Sequence, residues 1–323
     1  MFIRIVRLLF GMAVFGFAMP AVAQEDWPNR PIKFVVPTPP GGGTDLYARA
    51  LAPALSEQLK QPAIVENRPG AGGNIGADAV ARAAPDGYTF LVSATGTMVV
   101  NPSLYRELPF DVERNFTPVA RGVTGPFAFV SHPAFVAKNL NELVALARSK
   151  PGQISFGSAG VGSVSYLAVR MLEEEAGVSF LHVPYKGLGQ AYQDLLGGQL
   201  DFVYSDLGLA LPHIQAGRMH PLAVTAKTKL IPQAPTLGDA GFKDVRADNF
   251  FSVYAPAGTP TSIIDRLNAA IGSAMRSPTL AAKLEAQGWT PVFETPAQFA
   301  ASVKRERKRW AAFIRRNGIT ADQ

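Results

Sequence analysis

The sequence predicts an α/β protein folded as two lobes. Three observations carry this reading. Strand-like and helix-like segments alternate through residues 31–93. The alternation breaks near residues 116–125 and restarts at residue 126. The chain has 323 residues, too many for one ordinary domain and about right for two.

Residues 31–37 (PIKFVVP) are a short apolar run and read as a buried strand. Three glycines follow. Residues 44–60 then place Leu46, Ala50, Leu51 and Leu55 at helical spacing. Residues 63–66 read as a second strand, and the loop NRPGAGG leads into a small-residue helix over 74–84. The turn Pro85-Asp86-Gly87 precedes a third strand at 88–93. A β-α-β-α-β order implies a parallel sheet with helices on both faces. After the break, strands are expected at 126–131, 153–157, 180–183, 200–205 and 221–225, with helices at 139–149, 163–177 and 190–196. A strand at 250–255 and helices at 261–275, 280–287 and 296–317 follow, and these helices are expected to return to the first lobe. Segments 116–125 and 225–250 read as hinges. Lobe 1 is then residues 24–124 and 227–323, and lobe 2 is residues 125–226.

Composition excludes several classes. Hydrophobic residues make up 47% and charged residues 17%, enough to build cores and too apolar for disorder. The net charge is +6, and seven basic residues lie within 304–316. That cluster reads as the wet face of an amphipathic helix, and no nucleic-acid partner is expected. Cysteine is absent, which excludes disulfides, thiolate metal sites and a cysteine nucleophile. The four histidines form no H-x-x-x-H pair, and neither a metal nor a cofactor is expected. Arg4 and Arg7, an apolar run at 8–19 and the small-x-small site Ala21-Val22-Ala23 form the pattern of a cleavable signal peptide over residues 1–23. The run is shorter than the roughly 20 residues needed to span a bilayer. Export, to the periplasm in a Gram-negative cell, is expected, with mature protein starting at Gln24.

Two glycine loops carry the chemistry. Gly41, Gly42, Gly43, Thr44 and Asp45 join a strand end to a helix start. The first turn of a helix presents unpaired N–H groups and a positive dipole end, which favour an anion, and glycine lets a ligand approach the backbone. Asp45 would repel an anion; it either stabilises the helix or holds a water or a ligand amine. The second loop holds Ser158, Ala159, Gly160, Gly162 and Ser163, again between a strand and a helix, with hydroxyls as neutral donors. It lacks the Gly-Lys-Ser/Thr of a phosphate loop and the spacing of a nucleophile elbow. Tyr185 and Lys186 either add donors to the cleft or lie on a solvated loop. Asp206 is either a cleft residue or the N-cap of the next helix.

A longer ordered set of motifs runs through the chain. It includes Trp27-Pro28-x-Arg30-Pro31-Ile32, Pro40-Gly41-Gly42-Gly43-x-Asp45, and Glu66-Asn67-Arg68-Pro69-Gly70-Ala71-Gly72-Gly73-Asn74. Pro85-Asp86-Gly87-Tyr88-Thr89, Val183-Pro184-Tyr185-Lys186-Gly187 and Pro256-Ala257-Gly258-Thr259-Pro260 continue it. This set closely resembles the Bug family, the periplasmic solute receptors of tripartite tricarboxylate transporters. The resemblance implies a two-lobed, type II periplasmic binding protein fold with a ligand cleft between the lobes. It further implies a monomeric receptor, not an enzyme, that closes on a small organic carboxylate and serves integral-membrane permease subunits. Carried over, first-lobe contacts fall in residues 41–45 and at Ser93, Thr95, Gly96 and Thr97, and second-lobe contacts in residues 158–163 and 185–187. The family commonly has an aromatic residue at Thr38, His at Tyr166 and Trp at Phe250, and these departures leave the identity of the bound acid open, not the fold. Two other functions stay open here: a carboxylate sensor for a signalling partner, and a hydrolase using Ser158 or Ser163 if His182 reaches a serine.

Overall fold

In a computed structural model, the structure describes residues 27–185, 187–245, 247 and 249–321. The signal segment with its cleavage site and the site residue Lys186 lie outside the described residues.

Two sheets form the frame. The first contains β1 (Ile32–Val36), β2 (Ala63–Asn67), β3 (Thr89–Ala94), β4 (Phe116–Gly125), β10 (Asn249–Pro256) and β11 (Thr290–Pro291), in the order β11-β4-β10-β3-β1-β2. The second contains β5 (Phe127–Ser131), β6 (Ser155–Ser158), β7 (Leu181–Pro184), β8 (Phe202–Asp206) and β9 (His220–Val224), in the order β7-β6-β8-β5-β9. Helices α1 (Gly43–Leu59), α2 (Asn74–Ala81) and α3 (Asn101–Leu104) belong to the first half of the chain. Helices α4 (Leu140–Ser149), α5 (Val164–Ala176), α6 (Leu188–Leu196) and α7 (Leu207–Gln215) accompany the second sheet. Helices α8 (Thr261–Arg276), α9 (Pro278–Glu285) and α10 (Pro296–Arg316) end the chain.

The α/β class and the two-sheet architecture match the sequence reading, and two details correct it. Residues 116–125 are not a hinge loop but the ten-residue strand β4, paired antiparallel with β10 along its length. Phe116, Val119, Ala120 and Val123 are buried there, while Pro118, Arg121 and Gly122 obscure the alternation in the sequence. Neither sheet is purely parallel. β10 runs antiparallel to β3 and β4, and β5 runs antiparallel to β8 and β9. The chain leaves the first sheet at Gly125, enters the second at Phe127, and returns to β10 at Asn249.

The tail helices do return to the first sheet. Ile264, Leu267 and Ile271 of α8 and Leu280 and Leu284 of α9 share a buried cluster with Val119, Val123 and Phe251. Helix α10 starts at a capping box built by Thr295 and Gln298, which satisfies orphan amides at its N-terminus. Its inner face buries Phe299, Val303, Trp310 and Phe313. At its far end Arg316 pairs with Glu174 of α5 at 2.8 Å, so this helix also touches the second lobe.

Candidate ligand-binding site

Both sheets repeat one local order. β1 lies between β2 and β3, and β6 lies between β7 and β8, all parallel. The chain therefore leaves β1 and β6 at points where successive strands turn to opposite sides. In open α/β sheets such switch points leave a crevice at the carboxyl ends of the strands, where ligands bind. The two glycine loops stand at these positions.

The first loop is built around a carboxylate that the protein itself neutralises. Asp45 is 2% exposed. Its Oδ2 accepts from the Gly41 amide at 2.9 Å, and Arg49 Nε donates to both oxygens at 2.9 and 3.0 Å. Asn67 Nδ2 donates to Oδ1 at 2.9 Å and to the Thr38 carbonyl at 3.1 Å, tying the loop to the end of β2. Burial is the largest influence on this carboxyl and would raise its pKa. The Gly41 amide, Arg49 and Asn67 together outweigh it and hold the group below its ordinary value. Asp45 is thus the brace of the loop, the helix-stabilising option of the two read from sequence.

What this brace leaves open is the start of α1. Gly42 is the N-cap and offers no side-chain cap. By helix geometry the amides of Gly43, Thr44 and Asp45 have no partner within the helix. Gly43 is required for packing: a Cβ there would lie 2.8 Å from Phe251 Cζ. Gly42 has an ordinary φ of −75° and room for a Cβ, whose nearest atom would be 3.5 Å away. Thr38 stands beside Gly42, and its hydroxyl is buried without a partner.

The second loop is closed on itself. Ser163 is the N-cap of α5, accepting from the Tyr166 amide, and its hydroxyl also contacts the Gly160 carbonyl at 2.7 Å. Ser165 Oγ accepts from the Ala159 amide at 3.1 Å. Ser158 is fully buried and lies 2.7 Å from His182 Nε2. The hydroxyls expected to face a ligand therefore have partners inside the loop. This corrects the reading of Ser158 and Ser163 as free donors. A serine competes for nearby backbone groups over short distances, so a loop with three serines caps itself. His182 does reach a serine from β7, stacked on Phe156 at 4.9 Å and against Tyr166 at 4.7 Å. Burial, followed by Arg170, holds its imidazole below the ordinary histidine range. Gly162 has φ +78°, and a Cβ there would lie 2.0 Å from Leu104 Cδ2, so this loop touches the end of α3 across the lobes.

The other predicted residues divide. Gly96 has no atom within 4 Å of a built Cβ and is open. Ser93 is fully buried in β3, and its Oγ contacts the Ala94 carbonyl. Thr95 is buried and exchanges bonds with Asn249 and the Phe250 amide, fastening β3 to the start of β10. Thr97 donates to the Gly72 carbonyl at 3.2 Å. Tyr185 directs its hydroxyl to Asp194 at 2.6 Å, and its amide donates to the Ser158 carbonyl at 3.0 Å, so it supports the second loop. Asp206 is the N-cap of α7, accepting from the Gly208 amide at 2.8 Å, and Trp289 Nε1 approaches both of its oxygens. The structure gives it the capping role, one of the two read from sequence. Sequence reading missed Arg49, Asn67 and Trp289. Arg49 carried a signal, four residues after Asp45 on one helix face. Asn67 reaches the first loop from the end of β2, and Trp289, just before β11, reaches Asp206 and neither glycine loop.

Comparison with known proteins now decides the family. Residues 47–319 match the model of the tripartite tricarboxylate transporter family receptor. The chain belongs to that family. It is 37% identical to protein BugT of Bordetella pertussis over 319 residues, 97% of this chain and 98% of that one. Among solved structures, the periplasmic binding protein BugD superposes with a TM-score of 0.82 at 32% identity, covering 91% of this chain and 99% of that one. An R. palustris protein with adipate superposes with a TM-score of 0.85 at 32% identity, over 91% and 99% of the two chains. MatC from Rhodopseudomonas palustris, with bound malate, gives 0.81 at 32% identity, over 89% and 99%. Members of this family are periplasmic solute-binding receptors, not enzymes, and the Ser158–His182 pair belongs to the support of the second loop. No helix among the described residues is long and apolar enough to cross a membrane.

Proposed function

We propose that this protein captures a small organic carboxylate between its lobes and delivers it to integral-membrane permease subunits. In this reading, residues 1–23 are removed on export, the mature chain works in the periplasm as a monomer, and lobe 1 (24–124 and 227–323) closes against lobe 2 (125–226). The observation that carries it is the glycine-capped start of α1, open at the switch point of the first sheet. Its amides and dipole favour an anion, while Arg49 balances Asp45 and keeps that charge from opposing one. The adipate and malate held by two relatives fit the same chemistry.

Hydrogen bonds to a charged acceptor contribute about 1.5–3 kcal/mol each. A few of them support micromolar binding, about −8 kcal/mol, after association costs. The test is a thermal-shift screen against mono-, di- and tricarboxylates, including aromatic acids. At 100-fold excess over the dissociation constant, one acid should stabilise the fold by about 2.7 kcal/mol, several degrees in melting temperature. A panel in which no acid shifts the melting point would overturn the proposal.

A further inference from the structure

The two lobes meet at a second place, beside the first crossing of the chain. Asp206 ends β8 of the second sheet, and Trp289 directly precedes β11 of the first. They are 5% and 2% exposed. Trp289 Nε1 stands 3.3 Å from each Asp206 oxygen, so one N–H is shared by two acceptors at the long end of the hydrogen-bond range. Such a bond can be redirected by a small rotation without being lost. The indole itself is fixed in the first lobe, edge-on to Phe251 with centroids 5.2 Å apart at 81°.

Backbones come close together at this seam. A Cβ on Gly208 would lie 2.2 Å from the Gln287 carbonyl oxygen. A Cβ on Gly125 would lie 2.6 Å from Trp289 Cδ1 and 3.7 Å from Asp206 Oδ2. Gly125 is the last residue of β4, where the chain crosses to the second sheet, so the contact sits beside that crossing. The carboxylate is faced by the Gly208 and Leu209 amides of α7, by Trp289, and by Tyr192 of α6, and no ion pair reaches it among the described residues. Burial pushes its carboxyl up to about 6, which sets the acid arm of the test below. A buried charge without a cation is costly, and this one lies away from both glycine loops in its bonding.

We propose that Asp206 and Trp289 are positioning residues that set the angle between the lobes, and through it ligand affinity, without touching the ligand. This rests on the reading of the protein as a receptor that closes on its ligand. The experiment uses the ligand-free protein, so it stands apart from the identity of the acid. The chain has no cysteine, so spin labels placed by Glu57→Cys and Lys150→Cys report the interlobe distance alone. Trp289→Phe keeps a ring and removes the N–H, and Asp206→Asn keeps an acceptor and removes the charge. Both should shift or broaden the ligand-free distance distribution, with Asp206→Ala shifting it further and Asp206→Asn rescuing part of that change. The parent distribution should also change between pH 7 and pH 5, and that of Asp206→Asn should not. In the acid that wins the thermal screen, the dissociation constant should change at least about 5-fold, the lower end of usual coupling between sites. Distributions identical to the parent in Trp289→Phe and Asp206→Asn would overturn the proposal. If Trp289→Phe does not fold, the Asp206→Asn distribution and its pH dependence decide. A changed distribution with no winning acid in the screen would retain this proposal and remove the carboxylate reading.

Discussion

The two glycine loops occupy equivalent places in the two sheets yet solve the helix-start problem in opposite ways. At α1 the cap is Gly42, and the nearby carboxylate of Asp45 turns back to brace the loop through Gly41, Arg49 and Asn67. At α5 the cap is Ser163, and the serine hydroxyls at 158, 163 and 165 bind groups of the loop itself. The first loop leaves its helix amides without a side-chain cap. The second has little left to give except through its exposed backbone and its contact with Leu104. The difference teaches that two glycine-rich strand-to-helix loops at equivalent places can differ in whether their own side chains leave the helix amides alone.

The largest expected effect comes from removing the brace. Asp45→Ala removes the acceptor shared by the Gly41 amide, Arg49 and Asn67 and should lower stability by about 2 kcal/mol. Calorimetric binding of the winning acid should weaken at least tenfold as the loop loosens. A melting point and affinity equal to the parent's would show that the brace does not hold the site.

Next comes the cap of the second loop. Ser163→Ala should cost about 1 kcal/mol, the usual value of a helix cap. Its effect on acid binding should stay below about threefold, the reverse of what a free donor would give. A tenfold loss of affinity with unchanged stability would erase the distinction between the loops.

Acid separates the loops through a smaller effect. His182 is held below its ordinary pKa of 6.5, so the folded state prefers it neutral. Its contribution is present above that value and is lost as pH falls through it. Asp45 has a lowered carboxyl pKa, so its contribution is present above the ordinary 3.8 and fades only below that. Asp206, raised to about 6, acts in the opposite sense: its folded form binds a proton more readily, and stability rises as pH falls from about 6 toward 3.8. Melting of His182→Gln against the parent between pH 7 and 5 isolates the first of these. The variant should lose less stability over that window, and parallel curves would contradict the assignment.

Gly42→Ala has the smallest expected effect on folding. Its added methyl meets only ordinary contacts, so stability should stay within about 0.5 kcal/mol of the parent. Binding should still weaken measurably, because the methyl stands at the mouth of the helix start. Equal affinity by calorimetry would place the ligand elsewhere.

Much of this was legible in the sequence, and the exceptions have physical causes. The first lobe's order of elements followed from periodicity because β1, α1, β2, α2 and β3 are local. β4 was not legible, since its burial pattern depends on β10, more than a hundred residues away in the chain. The first loop was recognisable as a glycine-rich helix start, but its brace required Asn67, which only the parallel pairing of β1 with β2 brings alongside. Ser158 and Ser163 read as donors because sequence lists hydroxyls without showing what already accepts from them. Asp206 could be narrowed to a cap or a cleft residue, and the Gly208 amide, 2.8 Å from its carboxylate, gives it the cap.

The central claim is that a ligand carboxylate sits on the first amides of α1. It is tested most directly by amide NMR of the labelled protein titrated with the acid that wins the thermal screen and, in parallel, with its neutral amide analogue. The account predicts that the Gly43 and Thr44 amide protons move strongly downfield with the acid and little with the amide, while the Tyr166 amide, already capped by Ser163, moves less. Unmoved Gly43 and Thr44 signals at saturation with the acid would contradict it.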